Sequence, residues 1–323
     1  MFGLVFALMA TFVVVITASA AQSGGRLFPG QATAGSRTVP ASMATPMLEP
    51  AAGTAFQQLG TAGSGGARQA GAGDAISSTA LSAPLDARLA ADLRPLTRHY
   101  SAQVAVGVFD LTTGTEVVYH AGRKFATAGI ERADILAALL LRHQHAAAAL
   151  GTRAADLAAS MIEDGNAVAT SELWQMVGGA AGLTAANAAL KVHHTSPPST
   201  GNVNLTTTTV ADQLQLLLDL TLARAPLDLA CRDYALGLLD HVQASQRWGV
   251  PIAASSRTGY AVQDGWLQDQ RLWVVNSIGV IEHHGQDLLI AVLSKGNQSE
   301  TRGVALAEAA ATAAVHVVIG AAS

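Results

Sequence analysis

One cysteine occurs among the 323 residues. Cys231 therefore has no partner for an intramolecular disulfide, and a cysteine-based metal cluster is excluded. An apolar helical stretch follows it, so Cys231 reads as a small buried hydrophobe rather than a nucleophile. Charge is also scarce. Only 13% of residues are Asp, Glu, Lys or Arg, with a formal net charge of −4. No run of Lys or Arg occurs, which leaves nothing to grip a phosphate backbone and excludes nucleic acid as an expected partner. The ten histidines show no His-Glu-x-x-His or related spacing. His143 and His145 point to different helix faces, and neighbours such as His193-His194 and His283-His284 rarely hold one ion. No metal and no cofactor is expected. The Gly-x-Ser-x-Gly elbow of many serine hydrolases is absent too.

Half of the residues are hydrophobic, enough to bury a sizeable core. The length suits one large domain with extra segments, or two small domains. Residues 2–21 are almost wholly apolar, long enough to span a bilayer. They end in Ala18-Ser19-Ala20, a pattern export peptidases cleave. No Lys or Arg precedes the run, and the first basic residue is Arg26. Residues 1–21 thus read as a signal peptide or a membrane anchor. Residues 22–81 are rich in Gly, Ala, Ser, Thr and Pro and hold no periodicity, the signature of a flexible linker.

Order is expected over residues 82–323. Leu85, Leu89, Leu93 and Leu96 recur at helical spacing, with Pro84 near the start. Residues 103–109 and 115–120 flank the turn Asp110-Leu111-Thr112-Thr113-Gly114, a hairpin signal. Residues 135–141 form a continuous apolar run inside a longer helix, which implies burial on all sides. Helices dominate to about residue 245, giving a helical subdomain over about 125–245. Within it, Thr209-Val210-Ala211-Asp212 fits a capping box. Three β-rich runs follow at 260–266, 272–279 and 287–294, then an Ala-rich helix over 300–319. This order predicts an α+β fold with one antiparallel sheet assembled from both chain ends.

The local residues agree with a known family. Val106-Gly107-Val108-Phe109-Asp110-Leu111 with Gly114 resembles the first hairpin of class A serine β-lactamases. Phe125-Ala126-Thr127-Ala128 followed by Ile135-Leu136-Ala137-Ala138-Leu139-Leu140 resembles the flanks of their nucleophile helix. Met161-Ile162-Glu163 resembles the lead-in to their Ser-Asp-Asn loop. Gln246-Arg247-Trp248-Gly249-Val250-Pro251, Gly265-Trp266 and the strand Trp273-Val274-Val275-Asn276-Ser277-Ile278-Gly279 resemble a subgroup of actinobacterial serine-hydrolase-like proteins. The resemblance covers roughly residues 85–319. It implies the β-lactamase and penicillin-binding fold, with a five-stranded antiparallel sheet flanked by helices.

That resemblance also locates four pieces of chemistry, and each is changed here. The nucleophile motif Ser-x-x-Lys falls on Gly129-Ile130-Glu131-Arg132. Gly129 has no side chain to form an acyl-enzyme, and Arg132 stays protonated and is no base. The Ser-Asp-Asn loop falls on Gly165-Asn166-Ala167, and its hydroxyl is missing. The Lys-Thr-Gly strand falls on Gln263-Asp264-Gly265, where Asp264 is expected to repel a substrate carboxylate. Arg257-Thr258-Gly259 offers a second register for that strand. No Asp or Glu lies between Leu173 and Ala211, so the deacylating Glu is missing as well.

The implied protein is an exported, catalytically inactive member of this family. It would be a binding or scaffolding module at the cell envelope, secreted or anchored through its N-terminal segment. A peptidoglycan fragment, a β-lactam-like ligand or an envelope protein would be its partner. Arg132, Asn166, Gln263, Trp266 and Ser277 are the candidate cleft residues. The rival readings are a hydrolase with a non-standard nucleophile and a structural envelope protein without a ligand. Ser277 and Ser171 are the alternative nucleophiles, with structural or exposed hydroxyls the plainer account. Asn204-Leu205-Thr206 and Asn297-Gln298-Ser299 match a glycosylation pattern, a short match frequent by chance. Trp174, Trp248, Trp266 and Trp273 read first as core residues, and second as an aromatic cleft.

Overall fold

The computed structural model describes residues 72–144, 150–199, 202–223, 225–255 and 259–322. The apolar run 2–21, residues 22–71 of the expected linker, and Arg257 and Thr258 lie outside them.

Helix α1 spans Ala72–Tyr100, so it starts within the segment expected to be linker. The Ala- and Ser-rich composition that resembles a linker also carries helix propensity. Pro84 and Pro95 both lie inside α1, which corrects the placement of Pro84 near its start. Each proline removes one backbone donor. Leu89 and Leu93 are fully buried, which gives the helix a docking stripe.

The hairpin follows as read, with β1 at Gln103–Asp110 and β2 at Glu116–Tyr119. Asp110 closes its turn by accepting from the Thr112 amide (2.8 Å) and the Thr113 hydroxyl (2.8 Å). The short strand β3 (Phe125–Ala126) leads to a helical block. It comprises α2 (Glu131–Gln144), α3 (Thr152–Glu163), α4 (Ala167–Met176), α5 (Gly179–Ala189), α6 (Val210–Thr221) and α7 (Leu229–Asp240). Strand β4 (Thr207–Thr208) pairs with β3. The Thr209 hydroxyl caps α6 by accepting from the Asp212 amide, while the Asp212 carboxylate serves a different network described below.

The tail supplies β5 (Tyr260–Asp269), β6 (Leu272–His283), β7 (Gln286–Asn297) and α8 (Glu300–Ala322). The five long strands form one antiparallel sheet in the order β2-β1-β7-β6-β5. Its two faces are told apart by what touches them. Gly107 and its partner Ala291 face α6, whose Val210 and Leu214 fill the space beside Gly107. Val275 and its partner Ser294 face the other way, toward Gly303 of α8. Helix α8 is long and apolar enough to cross a membrane. Here it lies on the sheet and against α1, with Leu306, Ala310, Ala314 and Val318 buried. The architecture is thus α+β, with the sheet built from both chain ends.

Candidate active site

The site is built where the first turn of α2 meets the edge strand β5. Three constraints bring the chain into α2. Thr127 and Ala128 donate their amides to the carbonyls of Thr206 and Asn204. Asn276, fully buried on β6, donates to the carbonyls of Ala126 (2.8 Å) and Thr127 (2.9 Å). Ala128 is held at φ +61°, a left-handed conformation that costs an L-residue about 1 kcal/mol. A strained turn held by this many bonds is of the kind that concentrates at functional sites.

At this point two backbones touch. A Cβ on Gly129 would lie 2.7 Å from the Cα of Gly265 and 2.9 Å from the carbonyl oxygen of Asp264. A Cβ on Gly265 would lie 2.1 Å from the nitrogen of Gly129 and 2.4 Å from its Cα. All four distances are below ordinary van der Waals contact. Helix and strand therefore close on each other only because both positions lack a side chain. The structure brings together Gly129, Arg132, Asp264 and Gly265, but as a seam rather than a cleft. Nη1 of Arg132 flanks it, 3.1 Å from where a Gly129 side chain would start.

Strand alternation sorts the β5 residues. Gln263 pairs with Ile278 and faces the helical side, buried, its amide donating to the carbonyl of Asp264. Asp264 pairs with Ser277 and points through the sheet toward α8. There it accepts from the Trp248 amide at 2.9 Å. Ser277 completes the fixture, donating to the Trp248 carbonyl and accepting from the Val250 amide at 2.9 Å. This corrects two expectations. Asp264 does not meet a substrate carboxylate, because its side chain lies on the opposite face. Ser277 is not a cleft residue, because it is fully buried and its oxygen is engaged. Burial raises the Asp264 carboxyl well above its ordinary range, with Glu308 of α8 adding repulsion.

The remaining candidates are spread out. Asn166 caps α4, accepting from the amides of Val168 (2.9 Å) and Ala169 (3.2 Å). Gly165, at φ +68°, lies against Gln246, which also donates to the Asp164 carbonyl. Asn166→Ala should cost about 1 kcal/mol, the usual worth of an N-cap. Urea denaturation checks it, and an unchanged midpoint would mean the cap is idle. Trp266 alternates with Gly265, so it shares the α8 face with Asp264 and is not a cleft residue at the seam; it is 38% exposed, its ring 6.3 Å from that of Trp248. Trp174 and Trp273 are half-buried elsewhere. Ser171 is exposed on α4. The Cys231 thiol is pushed up to about 11 by burial and by Asp228, which keeps it protonated and unreactive.

A buried acidic network under the seam was not legible from the sequence. Glu131, the first residue of α2, is fully buried. With its amide turned to satisfy both acceptors, Asn204 donates to the Ala128 carbonyl (3.0 Å) and to Oε1 of Glu131 (2.6 Å). Burial pushes the Glu131 carboxyl up to about 8, with Asp134 adding repulsion, while Arg132 and its hydrogen bonds oppose the shift only in part. One turn on, burial pushes Asp134 up to about 7, against a hydrogen bond from Gln213. Gln213 also donates to the Thr208 hydroxyl. Asp212 accepts from the His194 amide (2.7 Å) and the Thr195 hydroxyl (2.8 Å). No group of three or more His, Cys, Asp or Glu among the described residues is arranged to hold a metal. Both glycosylation matches are occupied structurally. Asn204 is turned into this network, and Asn297 is buried, donating to Trp273 and Ser294.

A family model described as "Beta-lactamase enzyme family" matches residues 143–318, over half of the chain. The match starts inside α2, beyond Gly129 and Arg132. Among solved structures, a beta lactamase from Xanthomonas campestris pv. campestris is 17% identical, with a TM-score of 0.63 over 72% of this chain and 98% of that one. A beta-lactamase from Streptosporangium roseum is 18% identical, with a TM-score of 0.61 over 73% and 99%. An ancestral class A beta-lactamase (GNCA) is 19% identical, with a TM-score of 0.61 over 71% and 99%. At these identities the likeness is one of fold. No curated protein matches the sequence.

Proposed function

We propose, from the premise that the chain belongs to the β-lactamase enzyme family, that it is a non-catalytic member acting as a binding or scaffolding module. One observation carries this reading: the backbones of Gly129 and Gly265 are in contact where a nucleophile and its substrate would need room. Acyl transfer requires a side chain able to attack and donors placed around the developing oxyanion. Gly129 offers no such group, and the seam leaves no space for a carbonyl. The apolar run ending at Ala18-Ser19-Ala20 supports export, with the cell envelope as the place of action and a peptidoglycan fragment or an envelope protein as the partner. Fold alone does not name that partner. The exposed Trp266 beside Trp248 is an aromatic surface on the other face of β5.

A hydrolase with another nucleophile gains little support. Ser277 is enclosed, and Cys231 is held as a thiol. The test is to incubate the full chain with a fluorescent penicillin and with nitrocefin. The expected result is no covalent adduct and no hydrolysis above buffer. An adduct surviving denaturing electrophoresis overturns the proposal. Gly129→Ser with Arg132→Lys together should also remain silent, because the new side chain collides with the β5 backbone and the other motif positions stay replaced.

A further inference from the structure

The seam hides polar atoms that make no bond. Oε2 of Glu131, Nε of Arg132 and Oε1 of Gln263 are all buried without a hydrogen-bond partner. They lie on both elements that meet at Gly129 and Gly265. Just below, Oδ1 of Asp134 and Oε1 of Gln213 are likewise unpartnered. Each such atom costs its lost hydration, of order 1–3 kcal/mol, more for a charge. A closed seam of this kind stays closed only while its carboxyls are uncharged.

We infer that the α2–β5 seam is a proton-dependent latch: with Glu131 uncharged the first turn of α2 lies flat on β5, and loss of that proton lets the seam part locally and admit water. The groups facing Glu131 set the direction. Arg132 is the nearby cation and favours the charge. Asp134 on the same helix, and Asp212 of α6 acting on Asp134, oppose it. Thr127 and Asn204 contribute hydrogen bonds but no charge. His194 lies at 3.3 Å from Asp212, on its solvent side. No cation of α6 or β5 is hydrogen-bonded to Glu131 among the described residues.

In the closed seam Glu131 titrates near 8, and once exposed to water it titrates at its ordinary 4.5. Opening should therefore rise about tenfold per pH unit between about 4.5 and 8, then level off. The latch is independent of whether the protein is catalytic, so its failure would not touch the penicillin result.

The experiment is native-state hydrogen exchange on the full chain, read by mass spectrometry on peptides containing Ala128 and Gly265, from pH 5 to 8 in low urea. Rates are corrected for intrinsic exchange. The expected result is seam peptides exchanging through a local opening that is insensitive to urea, with a rise of 100-fold or more across the range. In Glu131→Gln, a neutral isostere, that rise should be abolished. Peptides from β1 and β7 serve as the global reference. The inference is overturned if seam peptides share the urea dependence and protection of that reference. It is equally overturned if the pH slope survives in Glu131→Gln. Should that variant fold poorly, the wild-type series in urea decides alone.

Discussion

Gly265→Ala should lower the stability of the fold by roughly 3 kcal/mol or more, although it adds a single methyl group to a strand. Its Cβ would arrive 2.1 Å from the nitrogen of Gly129, 2.4 Å from its Cα and 2.7 Å from the nitrogen of Ile130. All three are backbone atoms, so no side chain can swing aside. The first turn of α2 would have to move, and it is fixed by Asn276 on one side and by residues 204–206 on the other. Overpacking of this kind costs about 1–3 kcal/mol even where side chains can adjust. For a domain of this size that is a fall in melting temperature of roughly 6–12 °C. Gly129→Ser should behave the same way and should not create an esterase. Gly237→Ala is the control. It lies inside α7 with nothing within 4 Å of the added carbon, and should stabilise by about 0.5–1 kcal/mol. Calorimetry of the three variants checks the set. A Gly265→Ala protein melting within a degree of wild type would remove the seam from the account.

The second large effect is on pH. Glu131 keeps its proton in the fold up to about 8, whereas an unfolded chain loses it near 4.5. The native state therefore binds the extra proton throughout that window. By linkage, stability is fully present below about 4.5, declines as pH rises to about 8, and is flat beyond. At 1.36 kcal/mol per unit, the loss is of order 3–5 kcal/mol. Asp134, raised from 3.8 to about 7, adds a decline of the same sign over an overlapping window. Most proteins rich in ion pairs behave oppositely at the acid end, since their carboxyls are depressed. Urea midpoints measured from pH 4.5 to 8.5 check this, with Glu131→Gln as the comparison. That variant should gain stability at pH 8 and show a shallower slope. A wild-type curve that rises across the window would refute the buried, protonated Glu131.

The strands and helices were legible because they rest on local periodicity. The hairpin at Asp110, the three tail strands and the buried run of α2 follow from alternation, turn residues and apolar length. The motif positions were legible because they are strings. What escaped is set by distance in the chain. Nothing near Gly129 announces that Gly265 will press on it, since the contact joins two segments separated by the whole helical block. Glu131 was visible as a letter at the head of an apolar helix, yet its burial depends on Asn204, a residue of a later loop. Asp264 could have been oriented from sequence. In a strand it must face away from Gln263 and Gly265, and a period-two reading places it on the far side of the sheet. Pro84 was misjudged because proline is common in a first turn, whereas α1 carries both of its prolines at exposed positions in its interior.

The contact between Gly129 and Gly265 also couples the two positions. Each glycine makes the other obligatory: with either present, a side chain at its partner is barred by a main chain that has nowhere to go. A side chain introduced at either position alone meets the main chain of the other. The two positions are constrained jointly, through packing of main chain on main chain.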